Sequence, residues 1–70
     1  MNKVLIFTEI VFTTVEPERI LKIADECLLE LRIIESRKES SAWIYEYEVS
    51  GEFGKIKKFL VRIRSIEIVN

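Results

Sequence analysis

From residue 42 to residue 49 the chain alternates without interruption: Trp43, Tyr45, Tyr47 and Val49 fall on one parity, Ile44, Glu46 and Glu48 on the other. A period of two is the pattern of a β-strand with one covered face. Carboxylates buried without partners lose hydration worth several kcal/mol, so Glu46 and Glu48 face water and the aromatic row faces the interior. This one strand demands a second layer laid across it, and the rest of the chain must supply that layer.

Two helices are on offer. Pro17 at a first helical position, with Glu16 and Glu18 beside the positive end of the dipole, precedes Ile20, Ile23, Ala24, Cys27 and Leu28 at helical spacing; together they predict a helix over residues 17–30. Phe53, Ile56, Phe59, Leu60 and Ile63 predict another over 53–64. The β-branched and aromatic run at 3–13 predicts a first strand, 31–35 a second joined to 42–49 through a polar loop at 36–41, and 66–69 a short closing strand. The order β-α-β-β-α-β in 70 residues, without linker or repeat, reads as a single domain, residues 1–70, of the α+β class. The expected fold is ferredoxin-like, a four-stranded antiparallel sheet with two helices on one face.

In that fold Val4, Ile6, Thr8, Ile10 and Phe12 of the first strand are expected beneath the helices, leaving Lys3, Leu5, Phe7, Glu9 and Val11 on the open face. Leu5, Phe7, Val11 and Ile44 then form an apolar centre with Glu46 on its rim, which is the pattern of a subunit interface. A domain this short buries only about 60% of its unfolded surface, so a homo-oligomer of this chain is the expected partner.

Composition narrows the chemistry. Eleven basic against twelve acidic residues lack the cationic excess of a general nucleic-acid or anionic-membrane binder. No apolar run is long enough to span a bilayer and no signal-peptide pattern opens the chain, so a cytoplasmic address is expected. There is no histidine, and the single Cys27 lies in phase with the buried stripe of the first helix, which points to packing rather than catalysis. Neither an enzyme, a metal site nor a cofactor is expected. The absence of Gln and scarcity of Asn fit a thermophilic source. Gly51-Glu-Phe-Gly54 reads as a turn opening the second helix. The acid-free run from Lys55 through Lys58 and Arg62 offers candidate contacts for an anion, besides complementing the negative end of the helix dipole. Trp43, Tyr45 and Tyr47 on the third strand also invite an RNA-recognition reading. The inward orientation demanded by Glu46 and Glu48 argues against it.

Pro17, the Ile/Leu hairpin leading to Val49-Ser50-Gly51, a glycine-led helix carrying Ile56-x-x-x-Leu60 and a final Ile-x-Ile together resemble the ACT domain and the related NIL domain. The resemblance implies a regulatory module that binds an amino acid or another small effector at a dimer interface. It places the effector near the turn after the first strand, here Thr14, Glu16, Pro17 and Arg19, with Glu18 standing where the family pattern has glycine. The alternative expectation is a ligand-free assembly module, and RNA binding is the distant third.

Overall fold

The computed structural model of the chain describes residues 5–69. Five elements follow in order: β1 (Phe7–Thr13), α1 (Pro17–Glu26), β2 (Glu30–Glu39), β3 (Ala42–Gly51) and α2 (Phe53–Val69). The sheet has three antiparallel strands in the order β1-β3-β2, with β3 central. This corrects the four-stranded ferredoxin-like expectation, because residues 66–69 are the last turn of α2 rather than a fourth strand. The reason lies in the spacing. Ile56, Phe59, Ile63 and Ile66 continue one helical stripe, no glycine or proline interrupts it, and Arg64 bonds Glu67 one turn on at 2.9 Å. Extending a formed helix costs less than ending it and starting a strand without a turn.

α1 stops at Glu26, earlier than the predicted residue 30. Leu28 takes a left-handed conformation (φ 59°), its amide donates to the Asp25 carbonyl at 3.0 Å, and the Leu29 amide donates to the Ala24 carbonyl at 2.9 Å. This is the Schellman arrangement, built here without the usual glycine. The predicted polar loop at 36–41 is also corrected. Residues 36–39 remain in β2, Glu39 pairs with Ala42, and only Ser40 and Ser41 form the turn, with Ser40 at φ 55°. Charge on both faces hid that half of the strand.

The core consists of Val11, Val15, Ile20, Ile23, Ala24, Leu29, Tyr47, Val49, Ile56, Phe59 and Ile63, with Cys27, Leu31, Tyr45, Leu60 and Ile66 packed against it. Tyr47 and Val49 therefore face the helices as the alternation requires. In β1 the face assignment is reversed. Val11 and Thr13 are buried opposite Tyr47 and Tyr45, while Ile10 and Phe12 lie on the uncovered face opposite Glu48 and Glu46. Both parities of β1 are apolar, so alternation could not decide between them. What decides is fit, since short Val11 and Thr13 sit beneath the helices beside the large tyrosines. Val4 and Lys3, assigned to opposite faces from sequence, lie outside the described residues.

The turn from β1 into α1 is fixed by side chains. The buried Tyr47 hydroxyl donates to the Val15 carbonyl at 2.8 Å, and the Thr13 hydroxyl accepts from the Val15 amide at 3.2 Å while donating to the Glu67 carboxylate. Burial first, then the nearby Tyr45 and Glu16, raise the Tyr47 phenol well above its ordinary value of 10.0, which keeps it a donor. For Glu67, burial favours the neutral acid, but the Thr13 and Arg64 hydrogen bonds outweigh it and hold the carboxyl below its ordinary 4.5.

Three outcomes follow from these contacts. Tyr47→Phe leaves the Val15 carbonyl without its donor and is expected to lower unfolding free energy by about 1–3 kcal/mol in urea denaturation. A carboxyl with a depressed folded pKa contributes stability above its unfolded pKa and loses it as pH falls through the folded value. The wild type is therefore expected to lose stability as pH falls below about 4.5, and Glu67→Gln to flatten that acid limb. Leu28→Gly, relieving a left-handed, exposed non-glycine residue, is expected to raise stability by up to about 1 kcal/mol; an unchanged or lower midpoint would show that the cap carries no strain.

Candidate functional site

The fixed β1–α1 turn forms one wall of an open groove of about 410 Å³, lined by Thr14, Val15, Glu16, Arg19, Ala42, Trp43 and Tyr45. Pro17 is not part of the lining. It opens α1, with Glu16 as the N-terminal boundary residue whose side chain does not cap the helix. That leaves the Glu16 carboxylate on the groove side, and Arg19 follows it one turn of helix on. Neither makes an ion pair among the described residues.

The opposite wall is aromatic. Trp43 stacks on Tyr45 at 6.4 Å between ring centroids and 18° between planes, and Tyr45 on Tyr47 at 6.0 Å and 25°. The row passes from a fully buried ring at Tyr47 to a half-exposed one at Trp43. The inward face expected for Trp43 is correct, but the interior is not where it ends up. Element lengths explain this. Ten strand residues in β3 extend about 33 Å, whereas ten helical residues in α1 extend only about 15 Å, so the hairpin runs beyond its cover. Comparing those lengths is the signal by which Trp43 and Tyr45 could have been read as groove rather than core. The groove thus brings together a carboxylate, a guanidinium, a hydroxyl and a flat aromatic surface.

A second recess of about 290 Å³ is lined by Glu26, Cys27, Leu28, Lys55, Lys58 and Arg62. It unites the three basic residues proposed for an anion, but two are already engaged: Arg62 bonds Glu26 at 2.8 Å and Lys55 bonds Glu52 at 2.6 Å. The Glu26 hydrogen bond raises the Arg62 guanidinium further above its ordinary value. Lys58 makes no ion pair among the described residues. An anion would have to displace two intrachain carboxylates, which makes this the poorer site. Gly54 has open space around it, neither glycine takes a positive φ, and the Gly-x-x-Gly segment is not the expected turn but passes from the last residue of β3 through Glu52 directly into the first turn of α2.

The residues predicted for the open apolar face divide. Ile44 and Glu46 lie there beside Phe12, Glu35 and Arg37. Phe7 instead turns to the helix side and meets Phe53 at 5.5 Å, Val11 is core, and Leu5 is exposed ahead of β1. Ile10, Phe12 and Ile44 are the apolar residues that β1 and β3 place on the open face. Among the described residues there is no cluster of three His, Cys, Asp or Glu side chains that could hold a metal, and no helix long and apolar enough to cross a membrane.

No family model, curated protein or solved structure matches this chain.

If the groove binds ligand, its only tryptophan, Trp43, reports on it. A ligand stacked on the indole is expected to shift or quench the fluorescence, while one held in the Lys55–Arg62 recess leaves the emission unchanged.

Proposed function

We propose that this chain is a non-catalytic regulatory domain that binds a small zwitterionic metabolite of the amino-acid class in the groove between the β1–α1 turn and the start of β3. The observation that carries the reading is the pairing of Glu16 and Arg19, both without ion-pair partners among the described residues, across from the stacked Trp43 and Tyr45. Glu16 receives an ammonium group, Arg19 a carboxylate, Thr14 a further hydrogen bond, and the aromatic wall a flat or apolar side chain. The groove volume lies within the range of small-molecule sites. A cytoplasmic setting, with Cys27 as a reduced packing residue, and a site completed beside a second subunit belong to the same reading.

A second reading, an assembly module without ligand, is favoured by the half-exposed Ile10 and Phe12 of β1. Base stacking has less support, because Tyr47 is fully buried and its aromatic neighbours stand on the helix side.

A thermal-shift and Trp43-fluorescence screen against the amino acids tests the first reading. A ligand at 100 times its dissociation constant is expected to stabilise the fold by about 2.7 kcal/mol. Arg19→Ala is expected to weaken that ligand at least about tenfold, with the unliganded midpoint nearly unchanged. A panel that yields neither a shift nor a fluorescence change rejects the reading.

A further inference from the structure

The two outer edges of the sheet differ in kind. The β2 edge carries a register shift between Ile33 and Glu35 and ends in Arg37, Lys38 and Glu39, the irregularity and charge by which edge strands avoid pairing. β1 has no such irregularity and only one charge, Glu9: it pairs with β3 in regular register along all seven residues, contains no proline or lysine, and keeps Ile10 and Phe12 half exposed. With residues 66–69 in α2, nothing among the described strands pairs with its far side.

We propose that this edge of β1 pairs with the same edge of a second copy of the chain, antiparallel about Ile10, joining two three-stranded sheets into one. The inference rests on the assembly reading and names its surface. Register supports a second copy as occupant. Centring on Ile10 uses every residue from Phe7 to Thr13, sets Thr8 against the partner's Phe12, and continues the apolar strip across the junction. Centring on Glu9 would oppose two like charges.

Charge complementarity points the same way. Glu9, the only charged residue of β1, is exposed and makes no ion pair among the described residues. In the Ile10 register it lies opposite the partner's Val11 and diagonal to both the partner's Thr13 and the partner's Glu9, so the two carboxylates share one cation-seeking spot on the helix side of the junction. Arg64 hangs over that stretch of its own strand, donating to the Phe12 carbonyl at 3.3 Å. On pairing, Arg64 keeps its bond to Glu67 and exchanges the Phe12 carbonyl for the Glu9 carboxylate across the two-fold axis, and the symmetry makes the contact twice.

Sedimentation equilibrium of the full chain tests the proposal. The wild type is expected at twice the 8.3 kDa chain mass. Glu9→Arg, which breaks no ion pair of the monomer, and Arg64→Glu are each expected to weaken the dimer about tenfold or more, and the double variant E9R/R64E to recover it. Ile44→Lys on the open face is expected to remain dimeric. A monomeric wild type overturns both this proposal and the assembly reading. A dimer indifferent to Glu9→Arg, a double variant no tighter than the singles, or dissociation by Ile44→Lys overturns the edge pairing alone.

Discussion

One hydrogen-bonded clamp fixes the relation of every layer in this domain. Val15 lies in the turn between β1 and α1, and both of its backbone groups are held: the carbonyl by Tyr47 of the central strand, the amide by Thr13. Thr13 in turn reaches Glu67 at the far end of α2, and Arg64 closes the chain of contacts. The two strands, the turn and α2 thereby share one polar network, buried at Tyr47, Val15 and Thr13 and open to water at Arg64. Because an unsatisfied buried group costs more than a satisfied one gains, the network tolerates only one arrangement of these parts. The same clamp sets the position of Thr14 and Glu16, and hence the shape of the groove.

The legible parts of the fold were those where hydrophobic pattern and chemistry agreed. Glu46 and Glu48 decided the faces of β3, and Pro17 with Ile20, Ile23 and Ala24 located α1. Legibility failed where the pattern fitted two structures equally. Ile66 and Ile68 alternate like a strand, yet Ile66 also extends the stripe of Ile56, Phe59 and Ile63. β1 is apolar on both parities, and its orientation depends on volume opposite Tyr45 and Tyr47, a tertiary property no local window contains. The candidate groove was half visible. Thr14, Glu16 and Arg19 came from the resemblance, which points to the turn after the first strand, whereas Trp43 and Tyr45 entered only through the unequal reach of strand and helix.

The two helices divide their work unevenly. α1 is short and strongly one-sided, ended by a left-handed Leu28. α2, seventeen residues long, ties to α1 through Arg62 and Glu26, and reaches β1 through Arg64. Without a fourth strand among the described residues, α2 reaches the Phe12 carbonyl at the margin of β1 through the Arg64 guanidinium rather than through a ladder of backbone bonds.

The overhang of the β2–β3 hairpin bears on how the groove behaves in time. The domain is 50 Å long but only 16 Å thick in its smallest direction, and the hairpin turn lies past the core. Amide protons near Ser40 and Ala42 are protected by cross-strand bonds without packing above them, so they belong to the part of the molecule that opens and exchanges first. The wall carrying Trp43 is hinged on that part, while the wall carrying Glu16 is anchored in the clamp. A molecule held between them would therefore be felt as slowed exchange at the hairpin tip, far from any atom it touches on α1.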